Sequence, residues 1–326
     1  MNATRIQKLF FDNLVLPAVG VGICLLLWCL LSLATYDADA QVSDFPSPIT
    51  TWNESAKYFA KPFSSNEAEG FDGIGLEIWR SLQLVVLGYS MAIVMAIPIG
   101  FLLGGSRRFA RMFDPVFQVL RPISPLAWFP LAGLIVIAIR RSYTEIDATQ
   151  LQCIFTIAMC SIWPTILNTA VGVRAIPQDY LNVAKVLRLS PWRLFTRILF
   201  PATMPYMFTG FRLSLGIAWL VIVAAEMLSG KNGIGAFVNN QYQSGTYGPM
   251  LAAVIVIGLV GYVLDRMMTV VEYYAMTLVA LPVRVARMFR SGVSSRFGAT
   301  RKSSARYLSE TTLASREPGD AAPRTA

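Results

Sequence analysis

The feature that most restricts how this chain can fold is a series of long segments that contain no charged residue. Residues 14–34 form an uncharged stretch of 21 residues, and residues 81–106 and 148–173 form stretches of 26. A helix rises about 1.5 Å per residue, so about 20 apolar residues cross the roughly 30 Å hydrocarbon core of a bilayer. Only 14% of all residues are charged, against about 25% in soluble domains. The sequence therefore predicts an all-α protein that crosses a membrane several times.

We predict about six transmembrane helices within a membrane domain that covers residues 1–283. They lie near residues 14–35, 79–105, 115–139, 150–173, 203–228 and 249–272. The alternative for the first helix is a cleaved signal peptide, because Arg5 and Lys8 precede it and Ala38-Asp39-Ala40 resembles a cleavage site. Its apolar stretch is longer than the roughly 7 to 15 residues of a signal sequence. This length favours an uncleaved span.

The basic residues predict the orientation of these helices. The chain has 28 Lys and Arg against 19 Asp and Glu, a formal charge of +9. With a cytoplasmic N-terminus, 22 of the 28 basic residues fall in cytoplasmic segments, as the positive-inside rule requires. We therefore expect both termini in the cytoplasm and interpret the charge as an orientation signal, with no nucleic-acid partner. Residues 37–77 carry eight acidic residues and predict an irregular, acidic external loop.

Residues 284–326 differ in composition from the rest of the chain. They are rich in Arg, Ser, Thr and Gly and contain few large apolar residues. A segment of this kind cannot bury enough apolar surface to fold. We predict a basic, disordered cytoplasmic tail whose arginines lie near anionic lipid headgroups.

Several kinds of chemistry are disfavoured by the residues that are present. The chain has no histidine, and its four cysteines all lie in apolar stretches, which argues against a zinc site, a disulfide scaffold and histidine-based catalysis. Gly230-Lys231 does not complete a P-loop, because Ala225 stands where the first glycine is needed and no Ser or Thr follows the lysine. We therefore expect no enzyme activity, metal site, nucleotide site or cofactor in this chain.

The most informative polar segment lies between the fourth and fifth predicted spans, at residues 175–202. It is too polar to cross a membrane and too apolar to be a free linker, so it predicts a surface that docks on something. Asp179 can cap a first short helix, with Leu181, Ala184, Leu187 and Leu189 as its apolar stripe. Ser190 and Pro191 form the start signal of a second helix that runs to Pro201. Either the pair lies on the lipid headgroups, or one helix inserts into the groove of a partner protein.

This segment resembles the EAA loop of ATP-binding-cassette importer permeases. Its pattern is E-A-A, three residues, Gly, nine residues and then I-x-L-P. Residues 182–184 (Asn-Val-Ala) occupy the E-A-A place, Arg188 occupies the Gly place, and residues 198–201 (Ile-Leu-Phe-Pro) form the ending. The departures from the pattern are Asn for Glu, Val for Ala, Arg for Gly and Phe for Leu.

Four further blocks are similar to the nitrate/bicarbonate permease subfamily, which is related to the taurine and alkanesulfonate permeases. They are DPVFQVLRPISPLAWFPLAGL at 114–134, SIWPTILNTAVGVRAIPQDYLNVAKVL at 161–187, FPATMPYMFTGFRLSLGIAWLVIVAAEML at 200–228, and GIG at 233–235. The resemblance covers roughly residues 10–272. It implies a type I importer permease in a bacterial inner membrane, which works as a homodimer that alternates between outward and inward access.

The resemblance also implies partners and a substrate class. Two cytoplasmic ATPase subunits would bind ATP and Mg²⁺ and grip the loop, and an external or periplasmic binding protein would deliver a small inorganic anion, nitrate or nitrite. Bicarbonate, cyanate and a sulfonate are alternative substrates, and a passive channel or membrane scaffold is the alternative from another class. The residues expected to couple the permease to the ATPases are Asp179, Tyr180, Asn182, Val183, Ala184, Lys185, Val186, Leu187, Arg188, Leu189, Ser190 and Pro191.

Two sets of residues are candidates for the translocation path. The third predicted span begins with a proline-rich stretch, and irregular backbone at membrane depth is tolerated where it lines a cavity or is buried in protein; its candidate residues are Pro122, Pro125, Trp128 and Pro130. Arg212 and Glu226 are the charged residues closest to the middle of the fifth span. Their alternatives are an arginine that reaches the inner interface and a glutamate at the outer one.

Overall fold

A computed structural model describes residues 15–37, 42–43, 45–66, 71–140 and 147–277. The helices within these residues are α1 (Leu16–Ala34), α2 (Pro48–Ala60), α3 (Ile74–Gly105), α4 (Arg107–Leu120), α5 (Pro125–Arg140), α6 (Ala148–Arg174), α7 (Gln178–Val186), α8 (Pro191–Ser229), α9 (Ile234–Gln243) and α10 (Tyr247–Thr277). Two short antiparallel ladders pair β1 (Tyr36–Asp37) with β2 (Val42–Ser43) and β3 (Ser65–Asn66) with β4 (Phe71–Asp72). The chain divides into two units, Met1–Thr269 and Val270–Ala326. Within the second unit, the described residues 270–277 are helical.

Five of these helices are long and apolar enough to cross a membrane, namely α1, α3, α6, α8 and α10. Helices α4 and α5 meet the same test only as a pair, and their axes are bent by 107°. The sequence predicted one span over residues 115–139, but the structure divides it at this bend. Pro122 and Pro125 explain the break, because each disfavours helical backbone in the residue before it and removes a backbone donor.

Helix α6 forms the centre of the bundle and packs between α3 and α8. Its contact with α3 is close because α3 has a small residue at every fourth position: Gly88, Ala92, Ala96, Gly100 and Gly104. A Cβ atom at Gly88 would lie 2.7 Å from Cβ of Ile157, and one at Gly104 would lie 2.6 Å from Cβ of Val173. The Gly100 and Gly104 spacing permits this close packing, which here lies within one chain.

Hydrogen bonds from polar side chains join neighbouring helices of the bundle. The hydroxyl groups of Thr165 in α6 and Ser214 in α8 are hydrogen-bonded at 2.8 Å in a buried position. Trp219 Nε1 donates to the carbonyl oxygen of Ile257 at 3.0 Å, which joins α8 to α10. Such buried bonds satisfy side-chain donors that cannot reach water.

The segment between α1 and α3 is more regular than the sequence indicated. We predicted an irregular loop over residues 37–77, but α2 occupies its middle, and residues 74–77 are the first turn of α3. Ser47 caps α2 by accepting a hydrogen bond from the backbone N–H of Thr50 at 3.2 Å, and Pro48 follows at the first helical position. This Ser-Pro pair is the same helix start signal as Ser190-Pro191.

Helix α8 is longer than predicted, because it does not end at Pro201. It continues from Pro191 to Ser229 and contains a π-turn at Phe195–Leu199. The π-turn ends two residues before Pro201, which has no N–H for the regular α-helical bond. The docking segment is therefore continuous with a membrane-spanning helix. The predicted tail at 284–326 and the signal-peptide cleavage site at 38–40 lie outside the described residues.

Candidate functional site

A buried carboxyl group organises one end of the bundle. Glu226, near the end of α8, is 1% exposed. Its Oε2 atom accepts hydrogen bonds from the hydroxyl of Ser81 in α3 and from the backbone N–H of Gly235, both at 2.9 Å. The Ser81 hydroxyl in turn accepts from the backbone N–H of Ile234 at 3.0 Å. This group, the Glu226 cluster, fixes α3, α8 and the first turn of α9 to one another.

Glycines allow the chain to close over this carboxyl group. Gly230, directly after α8, takes the left-handed conformation with φ 64°, which ends the helix and turns the chain back. At Gly233 a Cβ atom would overlap the carboxyl group of Glu226, and at Gly235 it would overlap the carbonyl oxygen of Val223. The GIG block noted in the sequence is therefore a close-approach segment, since any side chain at its glycines would displace the cluster.

A second carboxyl group lies beside the first. Glu77 is 7% exposed, and Arg80 Nη1 contacts its Oε1 at 3.2 Å and Asp72 Oδ2 at 2.5 Å. Burial is the largest single influence on the pKa of Asp72 and by itself would raise it. The hydrogen bonds from Arg80 and Ser65 and the positive charge of Arg80 together outweigh burial, so the pKa is lowered. Glu77 Oε2 and Glu226 Oε1 are both buried without a hydrogen-bond partner in the part of the chain that the structure describes. These two oxygens can accept a hydrogen bond from water or from a ligand.

A cavity of about 870 Å³ adjoins the Glu226 cluster. Its polar lining residues are Arg80, Gln83, Thr149, Gln150, Glu226, Ser229, Lys231 and Asn232. Lys231 forms an ion pair with Asp147, just before α6. Amide, hydroxyl and cationic groups together can bind a small polar molecule or an oxyanion by hydrogen bonds.

Arg212 forms an ion pair with Asp265 that the sequence did not predict. Its Nη2 atom donates to Asp265 Oδ2 in α10 at 2.6 Å, and its Nε atom donates to the other carboxyl oxygen. Arg212 and Glu226 do not pair, as their separation along one helix predicted. The sequence contained a signal for this pair, because Asp265 is an acidic residue within the sixth predicted span. The side chains of Arg212 and Asp265 are 42% and 38% exposed, so the pair lies at the surface of the single chain.

The proline-rich stretch contributes a bend and a core residue. Pro122 lies in the turn between α4 and α5, Pro125 begins α5, and Pro130 is exposed within it. Trp128 is buried in the main hydrophobic core with Cys153 and Trp219. A role of these residues in translocation stays a prediction.

Helix α7 exposes apolar side chains in the segment predicted to dock. Ala184 is buried at 4% exposure, whereas five larger apolar residues of the segment are between 56% and 82% exposed. We call them the docking face: Tyr180, Val183, Val186, Leu187 and Trp192. Leu187 was expected on the same stripe as Ala184, and this was wrong because α7 ends at Val186 and the chain turns there. Trp192 was not among the predicted docking residues.

The caps of this segment agree only in part with the predictions. Ser190 accepts a hydrogen bond from the backbone N–H of Arg193 at 3.4 Å, which confirms the predicted cap of the second helix. Asp179 does not cap α7, because Pro177 occupies the cap position, but it lies in the first turn where an acidic residue complements the helix dipole.

The end of α7 explains why the family pattern has a glycine at this place. The backbone N–H of Leu189 bonds to the carbonyl of Ala184 at 3.1 Å, and that of Arg188 bonds to the carbonyl of Lys185 at 3.0 Å. This is a Schellman motif, whose residue after the cap must take the left-handed conformation. Arg188 does so with φ 48°. Glycine adopts that conformation without the steric cost that arginine bears.

Comparison with known proteins identifies the class of protein that these features define. A family model described as "Binding-protein-dependent transport system inner membrane component" matches residues 96–273. A chain of the MetNI methionine ABC transporter, solved in an inward-facing conformation, superposes with a TM-score of 0.52 at 15% identity. The match covers 62% of this chain and 95% of that chain, and it supports the fold.

Closer relatives are permeases for two inorganic anions. The nitrate import permease protein NrtB of Synechocystis sp. is 38% identical over 81% of this chain and 90% of its own length. NrtB of Leptolyngbya laminosa is 45% identical over 68% of this chain and 75% of its own length. The bicarbonate transport system permease protein CmpB of Synechocystis sp. is 39% identical over 77% and 84%. The chain belongs to the family of binding-protein-dependent transport system inner membrane components and is a multi-pass membrane permease, which confirms the predicted class.

Proposed function

We propose that this chain is the permease subunit of an ATP-driven importer whose substrate is nitrate or nitrite. The observation that carries the proposal is the 38% and 45% identity to two nitrate import permeases over most of the chain. The cavity beside the Glu226 cluster is consistent with it, because its amide and hydroxyl groups can donate hydrogen bonds to a small oxyanion. Its two cationic residues, Arg80 and Lys231, are held in ion pairs with Asp72 and Asp147.

The assembly that we propose contains two copies of this chain, two cytoplasmic ATPase subunits and an external or periplasmic binding protein. The ATPases would bind ATP and Mg²⁺, and their contact would be the docking face of α7. A set of exposed apolar side chains on a short helix supports this contact, since such surfaces mark protein interfaces. The bacterial inner membrane would hold the complex, with both termini of this chain in the cytoplasm.

The proposed coupling uses the continuity of α8. When the ATPases close on nucleotide, they would move the docking faces of both copies towards each other. Helix α8 begins at Pro191, beside the docking face, and ends near Glu226, so it can carry that displacement to the opposite end of the bundle. Arg212 and Asp265 lie between these ends and at the chain's surface. We propose that they line the translocation path at the seam between the two copies.

The test is uptake of labelled nitrate by cells that express the chain with its own ATPase and binding-protein partners and lack other nitrate uptake. We expect uptake that requires ATP and falls when unlabelled nitrate or nitrite competes. Purification through this chain in mild detergent should also recover ATPase subunits. If no ATPase is recovered, the passive channel is the better explanation.

Bicarbonate is the second candidate substrate. Its support is the CmpB relative, whose 39% identity is within the range of the nitrate permeases. Competition distinguishes the two, because an importer for nitrate keeps its uptake rate in excess bicarbonate. Cyanate and an alkanesulfonate belong in the same competition series. If bicarbonate is the better competitor, the substrate assignment changes and the permease class is retained.

A further inference from the structure

A second large cavity lies at the α7 end of the bundle, away from the Glu226 cluster. Its volume is about 1190 Å³, and it is bounded by the end of α3, by α4, by the end of α6, by α7 and by the start of α8. Its floor is apolar, with the rings of Phe101 and Phe195 packed edge to face at 4.9 Å. Leu102, Leu194 and Leu199 extend this apolar surface. The floor can therefore accept a hydrocarbon chain.

The rim of this cavity is basic. Arg107, Arg111 and Arg174 line it, and Asp114 is the one acidic residue among its lining residues in the described chain. Arg174 Nη2 donates to the carbonyl oxygen of Leu103 at 3.0 Å, which holds its guanidinium group at the rim. Arg107 and Arg111 are exposed and form no ion pair within the described residues. The rim thus offers an anion two guanidinium groups that form no ion pair within the described residues.

Helix α4 has the form of a helix that lies in a membrane interface. One side carries a ladder of rings, Phe109, Phe113 and Phe117, that ends against Trp163 in α6. Another side exposes apolar residues, namely Met112, Val116 and Val119. The axes of α4 and α5 differ in direction by 107°, so the two helices do not form one straight span. A helix with apolar residues and arginines exposed side by side is stabilised at the boundary between headgroups and acyl chains.

We propose that this cavity binds an anionic phospholipid from the leaflet that surrounds the α7 end of the bundle. Arg107 and Arg111 bind the phosphate of the headgroup, and an acyl chain lies over Phe101 and Phe195. A phospholipid fits this cavity because the basic rim can bind its headgroup and the adjacent apolar floor can hold its acyl chain. A soluble anion would contact only the rim. The site also adjoins Leu181 of α7, so a bound lipid braces the docking segment against the bundle.

The experiment is native mass spectrometry of the detergent-purified complex, titrated with phosphatidylglycerol and, separately, with phosphatidylcholine. We expect phosphatidylglycerol to bind more tightly, and Arg107→Gln/Arg111→Gln to weaken it about 30-fold. The control is Arg108→Gln, which removes one exposed charge from the same turn of α4 but none from the lining. It should leave binding within about threefold of the unchanged chain.

Two additional arms make the result decisive. Arg107→Lys/Arg111→Lys keeps the charge and should retain most of the binding, which separates loss of the site from loss of folding. Inorganic phosphate at millimolar concentration should not displace the lipid. The proposal is overturned if both lipids bind equally, if Arg108→Gln weakens binding as much as the double variant, or if phosphate competes. Bound lipid is measured without transport, so this outcome is independent of the proposed substrate.

Discussion

The Glu226 cluster and the docking face of α7 lie at opposite ends of α8 and distribute their side chains in opposite ways. The cluster buries a carboxyl group and closes over it with hydrogen bonds from Ser81 and Gly235. The docking face leaves apolar residues exposed, with Val186 at 82%. A buried polar group needs its partners within the fold, whereas an exposed apolar set is completed by a partner protein. The bonds to Oε2 are thus formed within one chain, whereas Oε1 has no partner among the described residues. We propose that a second protein covers the docking face.

The substitution with the largest expected effect on the Glu226 cluster adds a side chain at Gly233. Gly233→Val would place its Cβ in the carboxyl group of Glu226, and overpacking of this kind costs about 3 kcal/mol. We expect most of the protein to be lost as aggregate, measured as the monodisperse fraction after solubilisation. Gly258→Ala in α10 is the control, because a Cβ there meets no atom within 4 Å. Normal recovery of Gly233→Val would mean that the cluster is open in the membrane.

Two substitutions of Glu226 separate the effect of its hydrogen bonds on stability from the effect of its charge. Glu226→Ala leaves the Gly235 N–H without an acceptor and the Ser81 hydroxyl with only its bond to the backbone carbonyl of Glu77, at about 2 kcal/mol of stability. Glu226→Gln keeps one oxygen for both donors, so we expect a smaller loss. Thermal unfolding of the purified complex measures both variants. If Gln is as harmful as Ala, the negative charge and not the hydrogen-bond geometry is what the fold needs.

At the other end of α8, a substitution in the docking face should weaken binding of the ATPase subunits without destabilising the permease. Val183→Asp places a charge in the docking face, and we expect about 30-fold weaker ATPase binding, about 2 kcal/mol. The thermal stability of the permease alone should not change, because Val183 is 56% exposed. Gln178→Asp adds the same charge at an exposed position of α7 outside the docking face and should retain the ATPases. A drop in the permease's own stability would show that Val183 packs within the bundle.

Arg212 lies between the Glu226 cluster and the docking face. It forms an ion pair with Asp265 and is exposed at the surface of the single chain. Arg212→Ala leaves the carboxylate of Asp265 without its partner at membrane depth, and we expect nitrate uptake to fall severalfold while assembly is retained. Arg212→Ala/Asp265→Asn removes both charges and should recover part of the uptake if the pair is structural. Normal uptake by Arg212→Ala at normal expression would exclude the proposed role in the path.

The smallest effect is a gain of stability within the docking segment. Arg188→Gly removes the steric cost of a left-handed arginine, φ 48°, and should stabilise the turn by about 1 kcal/mol. The same substitution at Lys185, inside α7, should destabilise by about 1 kcal/mol. Thermal unfolding of the two variants gives opposite signs if the Schellman motif exists in the membrane. Equal signs would contradict it.

The sequence predicted the membrane class, because uncharged stretches above about 20 residues have few other uses. It also predicted the start of the second docking helix, since Ser190 and Pro191 form a local capping signal that tertiary contacts do not alter. It failed where distant segments meet. No local pattern joins Ser81 to Glu226, which are separated by 145 positions. Arg121, Pro122 and Pro125 marked irregular backbone at the bend between α4 and α5, but the angle between the two helices depends on how each packs against the bundle.

What the sequence alone determined is where the chain is apolar, where helices can begin, and which family it resembles, because these properties depend on neighbouring residues. The tertiary structure decided which charges meet. It brought Arg212 to Asp265 and buried Glu226 under the glycines of residues 233–235. It also exposed Leu187, which the periodicity had placed with buried Ala184. The physical reason is that helix periodicity specifies a face, whereas packing of α3, α6 and α8 decides what that face contacts.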